Sequence, residues 1–191
     1  MLNMISAQAI SPVSPQPLHE LVTEVFNRTF SGYNTRLVGG YSEPFYKSAL
    51  NGSHALICFR EDFISSALHE VAHWCIAGKE RRGQDDFGYW YLPDGRDEHQ
   101  QREFESVEIK PQALEWLFSL AAGVPFRISV DNLSLTSSVS DRFRDSIYNQ
   151  AREYLSDDLP LRAKLFVRAL CVATNSPKPD LQSIRIEDLF L

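Results

Sequence analysis

The chain has 191 residues, of which 43% are hydrophobic and 23% charged, with a formal net charge of −6. That length points to one domain with a substantial core and that composition to an ordinary soluble globular protein, while the acidic balance argues against nucleic-acid binding driven by charge and favours cationic partners. Cys58, Cys75 and Cys171 are odd in number and widely spaced, so neither a zinc ribbon nor a disulfide framework is indicated, and free thiols fit a reducing compartment.

Residues 1–17 are rich in Ser, Pro and Gln and lack a basic start and a long apolar run. They read as a flexible arm and not as a signal peptide, ahead of a single catalytic domain over residues 18–191. No apolar stretch reaches membrane-spanning length, so no membrane contact is expected and the expected location is the cytoplasm. Leu18, Leu21, Val22, Val25, Phe26 and Phe30 recur at helical spacing. Thr35 to Val38 is strand-like, and Gly39-Gly40 is expected to break it. Residues 41–53 read as a loop, with Pro44 and Asn51-Gly52 as turn signals. His54 to Phe59 is a short apolar run, expected to be a buried strand feeding the next helix.

That helix covers Phe63 to Lys79 and carries His69-Glu70-x-x-His73. Residues four apart on a helix share a face, so both imidazoles can reach one metal ion from one rigid element. Ile64, Leu68, Val71 and Cys75 give it a face to bury. Asp62 or Ser65 is the expected N-terminal cap and Gly78 the C-terminal one. Trp74 points about 100° away from His73. A charged connection over residues 79–86 reads as a solvated loop. Phe87, Tyr89, Trp90 and Tyr91 then suit a strand or a pocket wall, before a turn at Pro93-Asp94-Gly95.

Glu98 to Ala122 is helical in character, with Pro111 expected to kink it or to open a new helix near Lys110. Phe126 to Val130 alternates like a strand. Ser140 to Leu155 and Leu161 to Ala173 read as amphipathic helices, and Ile184 to Leu191 as a short final one. The total is an α+β fold, mostly helical with a small sheet of short strands and the His69–His73 helix in the core; a zincin-like arrangement is open.

Two histidines leave a metal incompletely held, and a third ligand is expected to be a carboxylate from elsewhere. Glu105 and Glu108 are the candidates, three apart on one helix face; one can ligate while the other orients a histidine. Glu108 is preferred, because it lies beside the helix start expected near Pro111. His99 is a rival in a polar run, and His19 and His54 read as structural. Two His and one carboxylate suit Zn(II) for hydrolysis and equally Fe(II) for oxygen chemistry. Glu70 is the catalytic carboxylate of the set. In a zinc metallopeptidase or other metallohydrolase it is the general base, and in an oxygenase it lies in the outer shell or orients substrate.

Three blocks in order, HEVAHWCIAGK-x-RR, DFGYWYLPDGRD and FE-x-VE-x-KPQALEW, together resemble the bacterial elongation factor P hydroxylase family. The resemblance covers about residues 34–125 and, more loosely, the C-terminal third. It implies a metal-dependent enzyme that hydroxylates the β-lysylated lysine of translation elongation factor P. It also implies metal ligands at His69, His73 and a glutamate of the FESVE segment. Fe(II) is the expected metal, with Zn(II) or another divalent ion acceptable in a purified sample. None of the five histidines begins an H-x-D or H-x-E triplet, so the pattern of jelly-roll 2-oxoglutarate oxygenases is absent and 2-oxoglutarate is not expected. The substrate so implied is long and carries two amines. At least one of Tyr89 and Tyr91 is expected to line the metal cleft and hold its alkyl stem, and Asp94, Asp97 or Glu70 to face its charges; Arg96, flanked by the two aspartates, can instead hold those acids by a bidentate pair. The basic run at Lys79, Arg81 and Arg82 is expected to meet an acidic surface of the protein partner.

Overall fold

The computed structural model describes residues 16–86, 96–130, 139–157 and 159–190. In chain order these form α1 (Leu18–Thr29), β1 (Thr35–Tyr41), β2 (Phe45–Lys47), β3 (Ala55–Arg60), α2 (Ile64–Ile76), α3 (Glu98–Ala122), α4 (Asp141–Asp157) and α5 (Leu161–Thr174). Single 3-10 turns lie at Ser31–Tyr33, Arg81–Gly83 and Ile186–Phe190. The fold is α+β and mostly helical.

The sheet has three strands in the order β1-β3-β2. β3 is central, parallel to β1 (Leu37 opposite Ile57) and antiparallel to β2 (Phe45 opposite Cys58). Ala55, Ile57, Cys58 and Phe59 are buried, as an apolar run between two neighbours should be. Gly39-Gly40 does not break β1, which continues to Tyr41 through a register shift after Val38. A Cβ at Gly39 would overlap the Phe59 ring, so glycine there admits an aromatic from the neighbouring strand. β2 lies in the stretch read as loop.

α1 lays Val22, Val25 and Phe26 into the main core, and Phe30, just past its end, joins them with Phe118 and Phe166. Trp74 joins them, its ring 5.2 Å from that of Phe26 and 4.9 Å from that of Phe30. The 100° offset on α2 thus sends Trp74 into the core and leaves His69 and His73 on another face. A second core forms around α3 and α4 from Trp116, Phe143 and Ile147.

Four local expectations are corrected. α2 starts at Ile64 behind an extended Phe63 with no side-chain cap, so neither Asp62 nor Ser65 caps it; it ends on an extended Ala77, so Gly78 is not a left-handed cap. α3 is one helix of 25 residues with Pro111 inside it, so no new helix starts near Lys110. The carbonyl that loses its helical donor at Pro111 belongs to Val107, a residue 49% exposed. Residues 126–130 form no strand. Instead the side chain of Gln112 donates to the Ser129 carbonyl (2.8 Å) and accepts from the Ser129 N–H (3.1 Å), doing what a neighbouring strand would do. The connection after α2 is docked, not merely solvated. Tyr46 and Asp86 exchange backbone hydrogen bonds, and Asp85 accepts from the Ser48 N–H and hydroxyl, both at 2.7 Å. Those Ser48 bonds hold the Asp85 carboxyl below its ordinary range.

Candidate metal centre

α2 and α3 pack side by side and bring three potential ligands together. His69 and His73 stand one helical turn apart, with ring centroids 4.7 Å apart and ring planes at 72°. Glu108 reaches across from α3. Its Oε1 lies 3.3 Å from His73 Nε2 and its Oε2 3.4 Å from His69 Nε2, and the two Nε2 atoms are 3.0 Å apart. One donor atom from each residue falls within 4.8 Å of the others, the spacing of ligands around one small ion. Glu108 is buried, His69 less so, and the His73 side chain is 41% exposed, so the cluster opens to solvent on the His73 side.

These residues fit a divalent cation. Among the described residues Glu108 Oε2 is buried yet has no hydrogen-bond partner, although an imidazole nitrogen is nearby. Such an atom costs free energy unless something positive meets it. His69 is already oriented for the purpose, since its Nδ1 hydrogen-bonds Glu115 Oε2 at 2.8 Å and its Nε2 is left to face Glu108. A carboxylate behind a ligating imidazole fixes the ring and raises its basicity. Glu115 is itself buried.

Without a metal the cluster is a charged pair. Burial alone would lower the His69 pKa, but Glu108, the bond to Glu115 and the charge of Glu70 outweigh it and push it up to about 10. Burial alone would raise Glu108, but His73, His69 and a bond from Gln112 hold it at about 2. A divalent ion must therefore displace a proton from His69 Nε2. Metal affinity is expected to rise with pH, about tenfold per unit between pH 7 and 9, for one proton released per ion. Calorimetry in buffers of different ionisation enthalpy measures that proton directly; a flat pH profile with no proton release would contradict it.

The other expected site residues fall as follows. Glu105 is on α3 but outside the cluster, where it accepts weakly from Gln101 Nε2 (3.5 Å) and from Ser140 Oγ (3.3 Å). Glu70 lies beside the cluster. Burial raises its pKa, opposed by the charges of His69 and His73 and reinforced by Glu108 and Asp86. Arg96 is buried, donating to Gln101 Oε1 (3.0 Å) and the Val130 carbonyl (2.7 Å) with its guanidinium 4.0 Å from the centre of the Phe104 ring. Asp97 caps α3, accepting from the Gln100 N–H, and is exposed. Tyr89, Tyr91 and Asp94, with Trp90, lie outside the described residues. His99 is exposed and 3.7 Å from Glu103. His54 Nδ1 hydrogen-bonds Asn34 across the start of β1 and β3, a structural role. Arg81 pairs with Asp86, and Arg82 donates to the Ala77 carbonyl, so both arginines have partners within the chain.

Sequence reasoning missed Glu115 and Gln112. A periodic signal for both existed. They follow Glu108 by seven and four residues, two turns and one turn along the same helix face.

The model of the elongation factor P hydroxylase family matches residues 25–184. A protein of Haemophilus influenzae (strain Rd) named elongation factor P lysine hydroxylase is 46% identical over 170 residues, covering 88% of this chain and 95% of that protein.

Proposed function

The chain belongs to the elongation factor P hydroxylase family, and on that premise we propose that it adds one oxygen atom to the β-lysylated lysine of translation elongation factor P at a mononuclear metal site. The match over residues 25–184 carries this reading, because it spans His69, His73 and Glu108 together. His69, His73 and Glu108 hold the ion, and Glu115 holds His69 in place. Iron(II) is the metal proposed; when bound, it supplies the oxygen activation that hydroxylation of a C–H bond requires. Zinc or another divalent ion can occupy the same ligands in purified protein, and 2-oxoglutarate is not proposed as a co-substrate. No helix among the described residues is long and apolar enough to cross a membrane. A translation factor as substrate puts the reaction in the cytoplasm, and no nucleic acid is required as a partner.

Glu70 is the carboxylate beside the ligands that we assign to the substrate. A β-lysylated lysine carries two amines, and moving them toward a partly desolvated centre is costly unless a negative group meets them. Tyr89, Tyr91, Asp94 and Asp97, from the segment that follows Asp86 into α3, are proposed to complete the cleft, with Arg96 anchoring its end.

The direct test is mass gain by the modified factor in the presence of metal-loaded enzyme. Glu70→Gln refines it. A charge-assisted hydrogen bond is worth about 1.5–3 kcal/mol, so the variant is expected to keep its metal and raise KM for the modified factor roughly ten- to a hundredfold. Wild-type KM in a metal-loaded Glu70→Gln enzyme would remove Glu70 from substrate binding. An HExxH helix also fits a zinc metallopeptidase with Glu70 as general base, and peptide cleavage that needs no oxygen would favour that alternative.

A further inference from the structure

α2 carries both histidines, and its C-terminal turn is closed in an unusual way. The last carbonyls of a helix lack intrahelical donors and are commonly met by a left-handed glycine turn. Here Ala77 is extended, at φ −59° and ψ 128°, and its N–H closes only onto the His73 carbonyl. The neighbouring carbonyls are met from far along the chain. Arg162, at the start of α5, donates from Nη2 to the Cys75 carbonyl (3.0 Å) and to the Ala77 carbonyl (2.6 Å). Its guanidinium also lies 4.9 Å from the centre of the Trp74 ring. Arg82, from the turn after α2, donates to the same Ala77 carbonyl, and Tyr46 on β2 donates to the Arg82 carbonyl at 3.0 Å.

Arg162 therefore contacts the two residues directly after His73 in the chain, Trp74 and Cys75. Two cations converge on one carbonyl, an arrangement that burial and mutual repulsion both oppose; the same two causes lower the Arg162 pKa. The negative end of the helix offsets that repulsion. The two histidines are supported differently. His69 is backed by Glu115 from α3. Among the described residues, the polar contacts of His73 all run through Nε2, the atom that faces Glu108 and His69. What fixes His73 is its backbone in the last turn, and Arg162 holds that turn.

We propose that Arg162 is a positioning residue for the metal centre, locking the last turn of α2 so that His73 Nε2 stays in register with His69 and Glu108. The proposal rests on the metal reading above. Ligand sets tolerate displacements of only a few tenths of an ångström, and loss of such an outer support typically weakens metal binding about ten- to a hundredfold.

Co(II) is the probe, because its visible absorption reports ligand geometry without turnover. Arg162→Met keeps an apolar stem over Trp74 and removes the donors. It is expected to weaken Co(II) binding about ten- to a hundredfold and to alter the visible bands, with far-ultraviolet helix content retained. Arg162→Lys, which restores one charged donor, is expected to recover part of both. Ile147→Val, in the second core away from α2, is the control: it is expected to lower stability and leave Co(II) affinity and bands unchanged. Wild-type affinity and bands in Arg162→Met overturn the proposal. If Arg162→Met does not fold, Arg162→Lys and Arg82→Met decide, and wild-type values in both overturn it. Failure of the unmodified chain to bind Co(II) overturns the metal reading and this proposal with it, which separates the two failures.

Discussion

Alanine at His73 is expected to lower the affinity for Co(II) or Fe(II) by more than about a hundredfold, beyond the range seen when only an outer support is lost. The side chain is 41% exposed, so its removal opens little cavity and the melting temperature should change little. His69→Ala should lose metal as completely and lose stability as well. Its imidazole lies between two buried carboxylates, 2.8 Å from Glu115 and 3.4 Å from Glu108. Removing the shared cation from a buried pair of this kind costs about 3–5 kcal/mol at most, with relief as the carboxylates protonate. Metal retention measured by competition titration, beside a thermal melt, separates the effects; full retention in both variants would remove the site.

Glu108→Gln should abolish metal binding while Glu105→Gln keeps it. The two glutamates are one turn apart on α3, yet Glu108 is buried against both histidines and Glu105 is turned toward Gln101 and Ser140. In Glu108→Gln the new amide conserves shape and removes the charge that the ion needs, so the expected loss again exceeds about a hundredfold. Metal-free stability carries a second signature. The depressed Glu108 contributes stability that is present above its ordinary value of 4.5 and is lost as pH falls toward about 2. The elevated His69 contributes stability that is present below its ordinary value of 6.5 and is lost as pH rises toward about 10. The gap in stability between unmodified chain and Glu108→Gln should thus be widest between those ordinary values and close at both extremes. Equal metal loss in Glu105→Gln would contradict the assignment.

Much of the frame was legible because it is local. α1, α4 and α5 follow from apolar residues at helical spacing, and β3 from an apolar run too short for a helix. The histidine pair was legible for the same reason, since one helix carries both. What tertiary pairing creates was not. Phe45-Tyr46-Lys47 is a strand because β3 offers it an edge, and in residues 126–130, which form no strand, a glutamine side chain takes both backbone bonds of Ser129. Gly39-Gly40 carries the usual mark of a break, but here it makes room for Phe59. The choice between Glu105 and Glu108 could not be made from spacing, and the reason for favouring Glu108, a helix start at Pro111, is absent from the continuous α3. Nothing in the sequence marks Glu115 as buried, because a glutamate on a long helix usually faces water; packing of α3 buries it.

The most direct measurement is oxygen addition to β-lysylated elongation factor P by the full chain, loaded anaerobically with iron(II) and then given labelled dioxygen and ascorbate as a two-electron donor, so that one oxygen atom enters the C–H bond and the other leaves as water. Mass spectrometry of the modified lysine should show a gain of one labelled oxygen atom, absent with zinc in place of iron and absent with His73→Ala. No mass gain from enzyme shown to be fully iron-loaded and supplied with reductant, or peptide cleavage that proceeds equally without oxygen, would contradict the hydroxylase reading.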